Sequence, residues 1–236
     1  VRSDRRRKLP VTILLKSLGL DTQEILQKFF DVEEIQVNTD GSYSRPVNPE
    51  ILLGQRATND VVDPKSGDVV LKKSRKFSRH VLAKFEEIGL KKLNVAHEEL
   101  VGKVVVEDVT DPKTGEVIVE CNQALEDKLI DALRGSGVKS FKVAIMDGVN
   151  VGPYLRDTLL IDKVDTQEEA LIEIFKRMRP GDPPTLESAQ ALFHDMFFND
   201  ARYDLSAVGR LKINHKFNFK DIPVSYTHLT LPTTTI

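Results

Sequence analysis

The stretch Asp60-Val61-Val62-Asp63-Pro64-Lys65-Ser66-Gly67-Asp68-Val69-Val70 returns 48 positions later as Asp108-Val109-Thr110-Asp111-Pro112-Lys113-Thr114-Gly115-Glu116-Val117-Ile118. Asp-Pro-Lys-Ser/Thr-Gly between β-branched runs encodes a hairpin. Proline presets φ at the turn, and glycine accepts the positive φ that leads into the second strand. The register holds on both sides. Leu53-Gly54 precedes the first hairpin as Val101-Gly102 precedes the second. Phe77, Val81, Phe85, Gly89 and Leu93 match Leu125, Leu129, Leu133, Gly137 and Phe141. Apolar residues at i, i+4 and i+8 followed by glycine specify a short amphipathic helix with a stop. Each copy, about 53–95 and 101–143, reads strand, hairpin, strand, helix, strand. The two copies are expected to pack together as one α+β insert.

The flanks are helical. From Pro10 to Phe30, Ile13, Leu14 and Leu18 precede a capping-box pattern, Asp21-Thr-Gln-Glu24, and then Ile25, Leu26, Phe29 and Phe30. Thr166-Gln-Glu-Glu169 is a second such pattern, ahead of Leu171, Ile174, Phe175 and Met178. That helix must end near Arg179, because Pro180-Gly181-Asp182-Pro183-Pro184 cannot continue it. Thr185 starts another helix carrying Ala189, Leu192, Phe193, Met196 and Phe197. Neither flank can bury a core alone. The expected fold class is therefore α+β: a discontinuous, mainly helical domain (1–30 and 166–222) interrupted by the insert (31–165). The segment 223–236 is set apart. Val224 to Ile236 holds no Lys, Arg, Asp or Glu and reads like a translated sequencing-library adapter.

The composition suits a packed protein, with 40% hydrophobic and 30% charged residues. No apolar run approaches the roughly 18 residues that cross a bilayer, so no membrane role is expected. Cys121 is the only cysteine, which leaves no internal disulfide and no multi-cysteine metal site. It reads as a buried small residue rather than a nucleophile. His80, His97, His194 and His215 show no metal-ligand spacing. A cytoplasmic protein is the plain expectation, and the missing initiator Met suggests a chain that starts inside a longer one. The net charge of −2 argues against wholesale coating of nucleic acid. Residues 2–8 nonetheless carry five cations against Asp4 alone.

Three long segments, in order, resemble the β subunit of bacterial DNA-dependent RNA polymerase. They are Asp4-Arg-Arg-Arg-Lys-Leu-Pro10 with Ile13-Leu14-Leu15, Met178-Arg-Pro-Gly-Asp-Pro-Pro-Thr185, and Arg202-Tyr-Asp-Leu-Ser-Ala-Val-Gly-Arg-Leu-Lys212. Val151-Gly-Pro-Tyr154 with Thr158-Leu159 fits as well. The resemblance spans residues 1 to about 222. It implies the lobe, one jaw of the cleft that holds downstream DNA and the transcription bubble, with a lineage-variable insertion inside it. It implies β′, α and σ as partners, regulators docking on the insert, and a nucleoid-associated cytoplasmic enzyme.

Nucleotidyl transfer needs clustered carboxylates holding Mg²⁺, and the resemblance puts these mainly in β′. No catalytic residue, metal ligand or cofactor is expected in this segment, although the whole polymerase uses Mg²⁺. Arg5, Arg6, Arg7 and Lys8 are candidates for non-specific contact with the DNA backbone, where guanidinium groups grip phosphates without reading bases. A solvated charge run before a helix is the competing reading. Arg179, at a helix end, could instead serve the helix dipole. Arg202 and Arg210 are further candidates, either of which could pair with Asp204. Tyr203 is the one aromatic beside them that could stack on a base, with core packing favoured. A self-standing, non-catalytic binding module explains the repeat but not the flanks. Few phosphate contacts on a near-neutral chain leave little counterion release, so isolated DNA affinity is expected to be weak.

Overall fold

The computed structural model describes residues 8–63, 66–146, 151–220 and 222–227. The chain divides into two compact units, one formed by the stretches up to Asp21 and from Thr158 on, the other by Thr22–Asp157. The sequence reading put the insert at 31–165; here the second unit begins earlier, at helix α2, and ends earlier, inside α7. The first helix, α1 (Val11–Ser17), stops where Gly19 takes φ +93°.

The Thr22–Asp157 unit starts with α2 (Thr22–Phe29), which buries Ile25 and Leu26. Strands β1 (Val32–Val37) and β2 (Tyr43–Pro46) follow as an antiparallel pair. Each copy of the repeat then contributes a helical turn, a hairpin, a helix and a strand. The first copy supplies α3 (Pro49–Leu52), β3 (Val61–Val62), β4 (Val69–Leu71), α4 (Arg79–Ile88) and β5 (Lys92–Val95). The second supplies α5 (His97–Leu100), β6 (Val104–Val105), β7 (Val109–Thr110), β8 (Val117–Val119), α6 (Asp127–Ser136) and β9 (Ser140–Ala144). One antiparallel sheet runs β5-β2-β1-β9-β6, and the hairpins β3-β4 and β7-β8 stand outside it.

The duplication is physical as well as textual. The Gly54 N–H donates to Phe77 C=O, and 48 residues on the Gly102 N–H donates to Leu125 C=O. The Asp60 carboxylate accepts from the Lys73 N–H, as Asp108 does from Cys121. Ser74 and Asn122 share a positive φ. Cys121 thus stands opposite Lys73, and it is half-buried with Sγ against Val106 C=O, not the buried small residue expected. The first copy's core is Leu52, Ala57, Leu71, Phe77, Leu82, Phe85 and Leu93. Every one of these has its counterpart 48 positions later in the second core: Leu100, Val105, Val119, Leu125, Ile130, Leu133 and Phe141. The second core also takes in Ile35 and Tyr43, whose hydroxyl donates to Ile130 C=O over 2.6 Å. Burial of Tyr43 raises its pKa.

Helix α7 (Tyr154–Ile161) leads to the helical unit of α1, α8 (Gln167–Met178), α9 (Leu186–Phe197) and α10 (Ala207–Phe217). Its core gathers Leu9 and Ile13 with Ala170, Leu171, Ile174, Phe175, Ala189 and Phe193. Polar contacts tie the distant chain segments together. The Lys16 ammonium, buried, donates to Val164 C=O and lies 3.6 Å from the Asp162 carboxylate, and Gln167 donates to Ser17 C=O. The capping box at Thr166 and Glu169 is present. Backbone donation from Asp165 and Thr166 holds Glu169 below the usual carboxylate range.

Gly89 and Gly137 cap α4 and α6 in the left-handed region, at φ +72° and +82°. A Cβ at either meets open space or, at Gly137, only the Lys113 side chain at 3.8 Å. Alanine at each therefore costs backbone strain alone. Gly89→Ala and Gly137→Ala should each lower unfolding free energy by about 1 kcal/mol, read by urea denaturation. Losses differing by more than twofold would break the equivalence of the two copies.

Candidate nucleic-acid interface

Arg5, Arg6 and Arg7 lie outside the described residues. Lys8 is exposed just ahead of α1. The other candidates fall on the helical unit. Arg179 is the C-cap residue of α8, where the Pro-Gly turn ends the helix as the sequence required. Its guanidinium is 58% exposed and, among the described residues, pairs with Asp182 at 3.9 Å. In solvent such a pair contributes little, so the charge is available to another anion. Arg202 is 68% exposed and sits 3.1 Å from Asp195 on α9, not beside Asp204. Asp204 instead accepts from the Thr227 hydroxyl.

Arg210 differs. It is buried on α10, donates through Nε to Tyr226 C=O over 2.6 Å, and lies 5.7 Å from the Tyr226 ring centre. In this chain Arg210 ties α10 to the segment after it and offers no surface to a phosphate. Its cover comes from Tyr226, within the stretch the sequence reading set apart. Arg179, Arg202 and Arg210 each turn to a different group, Asp182, Asp195 and Tyr226 respectively.

Sequence reasoning missed the surface of α10. Lys212 and Lys216 lie one turn apart and are exposed, as is Lys220 just beyond, and none has an ion-pair partner among the described residues. Phe217 and Phe219 are exposed beside them and stacked, with ring centres 5.8 Å apart and planes at 27°. The i, i+4 lysine spacing was the legible signal. Exposure of the phenylalanines was not, since Phe at a helix end normally signals core. Tyr203, expected in the core, is 39% exposed. Lys176 and Arg177 add exposed cations to the last turn of α8.

The strongest ionic cluster lies elsewhere and is internal to the Thr22–Asp157 unit. Buried Arg45 contacts Glu33 at 3.1 Å and Glu99 at 3.0 Å, and Lys103 reaches Glu33 at 3.0 Å. Thr58 donates to the other Glu99 oxygen over 2.6 Å. These groups join β1, β2, α5 and the first hairpin's base. Among the described residues, no group of three or more His, Cys, Asp or Glu is arranged to hold a metal ion. Among the same residues no helix is long and apolar enough to cross a membrane.

With this geometry in hand, comparison with known proteins assigns the class. Residues 155–227 match the family model "RNA polymerase Rpb2, domain 2", a stretch that lies almost wholly in the helical unit. The chain is 49% identical to the DNA-directed RNA polymerase subunit beta of Sorangium cellulosum (strain So ce56), over 94% of its own length and 16% of that protein's. It is 46% identical to the namesake in Anaeromyxobacter sp. (strain Fw109-5) and 48% to that in Geobacter sp. (strain M21), over 98% of the chain and 17% of each relative. The chain belongs to the bacterial DNA-directed RNA polymerase β-subunit family and spans about one sixth of the length of those relatives.

Removing one member of the buried cluster strands its partner. Glu33→Ala should cost about 3 kcal/mol of stability, because Arg45 keeps its burial and loses one of two carboxylates. Chemical denaturation measures it, and a loss under about 1 kcal/mol would mean that water reaches Arg45.

Proposed function

We propose that this chain is the lobe segment of an RNA polymerase β subunit, a non-catalytic wall of the DNA cleft that meets the phosphate backbone of downstream DNA and the transcription bubble. The observation that carries the reading is the 46–49% identity over nearly the whole chain to proteins named as that subunit. The reading includes a finer architecture, a mainly helical lobe interrupted by a two-copy α+β insertion. On this reading the segment works within a nucleotidyltransferase whose Mg²⁺ chemistry belongs to other parts of the assembly. Its partners are the β′ and α subunits, σ, and template DNA bound without sequence preference, in the cytoplasm at the nucleoid. Regulators docking on the insert are part of the same proposal.

The geometry gives the contact surface its terms. Lys8, Arg179 and Arg202 are exposed cations with weak internal pairing, suited to phosphates. Arg5, Arg6 and Arg7 join them by sequence. Arg210 is assigned to structure in this chain. The lysines of α10 with the Phe217–Phe219 stack combine a charged track with an aromatic platform, the pairing that holds unstacked single strands without reading them.

The test uses assembled polymerase carrying Arg179→Ala with Arg202→Ala in this segment. Each lost phosphate contact lowers the slope of log affinity against log salt by about 0.9. A promoter-complex salt slope reduced by one to two such units, with unchanged nucleotide addition on a preformed elongation scaffold, is the expected result. A slope identical to that of the unaltered enzyme would remove both arginines from the DNA surface.

A further inference from the structure

The two copies of the repeat differ at one place, and the difference leaves a sheet edge open. In the second copy the segment Val104-Val105-Val106 returns to the sheet and covers the outer edge of β9. Val104 pairs with Ala144 and Val105 with Val143, and the Val106 N–H donates to Lys142 C=O over 3.1 Å. Lys142 then reaches Glu107, the next residue, at 3.0 Å. Those valines are buried.

The first copy repeats the backbone bonds at the base of its hairpin, Ala57 N–H to Arg75 C=O and Ser74 N–H to Ala57 C=O among them, but not this one. Its counterpart segment is Arg56-Ala57-Thr58, and no pairing joins it to β5 among the described residues. The Val47 N–H donates to Lys91 C=O. By the alternation of an antiparallel ladder, Leu93 and Val95 then face β2, while the backbone groups of Lys92 and Asn94 face outward. No backbone partner meets them among the described residues. The side chains changed in step: Val105 becomes Ala57, Val106 becomes Thr58, and Phe141 becomes Leu93. What remains between the hairpin base and β5 is a cavity of about 250 Å³. It is lined by Ala57, Thr58 and Val61 on one side, Phe77 and Leu90 below, and Leu93 on the sheet. That is under the roughly 300 Å³ at which small-molecule sites begin. A side chain or two delivered by an extended backbone suits it better.

We propose that the outer edge of β5 is a docking site for an extended segment of another protein, which adds as an antiparallel strand. The second copy supplies the template for its chemistry: a run of β-branched residues, alternate side chains of which enter the cavity, followed by an acidic residue. Charge fixes where the acid lies. The rim cations at this edge are Lys91 and Lys92, exposed and without ion-pair partners among the described residues. In the template register, the position opposite Lys92 is that of Asp108. Edge lysines deter indiscriminate pairing with apolar strands, and a segment with an acid at this position satisfies them. Main-chain bonds give the affinity and the cavity gives the selectivity. The site stands on the two-copy geometry alone and does not depend on the polymerase reading.

The probe is a synthetic peptide with this chain's own sequence from Gly102 to Val109, added to the full chain while amide exchange is followed by NMR. The Lys92 and Asn94 amides should exchange freely in the chain alone and slow by at least about tenfold at millimolar peptide, since each gains a ladder partner. Replacing the last of the peptide's three consecutive valines, which matches Val106 and donates its N–H to the edge in the template, by proline should abolish the effect. Lys92→Glu, a surface change that spares the fold, should weaken binding about fivefold by turning attraction into repulsion. Unchanged exchange at millimolar peptide overturns the proposal. Protection already present in the dilute chain overturns it as well, because the chain's own Arg56–Thr58 then covers the edge. So does protection that grows with chain concentration without peptide, which assigns the edge to a second copy.

Discussion

The pairing of β1 with β9 is the constraint on which the rest of the insert depends. Five register pairs run from Val32–Ala144 to Gln36–Ser140, and the Ile145 N–H closes the ladder on Asp31 C=O over 2.8 Å. More than a hundred residues separate the two strands, leaving the ladder at its Gln36–Ser140 end and returning at that same end. Strand residues so far apart pair only after a large loop entropy has been met, and the two copies meet it piecewise. Each hairpin, cap and helix forms from local contacts, and β1 and β2 then knit β5 and β9 into one sheet. Tyr43 and Ile35, buried against the second copy's core, supply apolar burial where the ladder needs it.

The helical unit solves the complementary problem. Its first helix is separated by the whole insert from the helices it packs on. Ile13 enters the core of α8 and α9, while Lys16 and Ser17 bond to Val164 and Gln167. A buried lysine bonded to a carbonyl near a carboxylate costs desolvation and gives geometric definition in return. Such polar ties suit a join between segments that cannot find each other through sequence proximity.

The parts legible in the sequence are those whose physics is local. The 48-residue offset exposed the hairpins because Pro and Gly act on their own dihedrals. Gly89 and Gly137 marked helix ends for the same reason, and Thr166 with Glu169 announced a cap that forms with its own neighbours. Long-range terms stayed hidden. Arg45 stands in line with Leu93 and Phe141, and no pattern in the chain said that a cation there would be buried between two glutamates. The cations offered as DNA contacts were legible as charges but not as surfaces. Arg179 and Arg202 project into solvent, whereas Arg210 is covered by a residue 16 positions later. The exposed Phe217–Phe219 stack contradicts the ordinary rule for phenylalanine, and composition could not reveal it.

If the β1–β9 ladder closes the insert upon itself, the helical unit should stand without it. The direct measurement is thermal unfolding by circular dichroism of a variant in which Val32–Ala144 is replaced by two glycines, the bond from Ile145 to Asp31 showing that so short a bridge suffices. A cooperative helical transition, with the Lys16 region still protected from amide exchange, is the result this account requires. A gradual, non-cooperative loss of signal would mean that the helical core depends on the insert, and the two-unit description would fall.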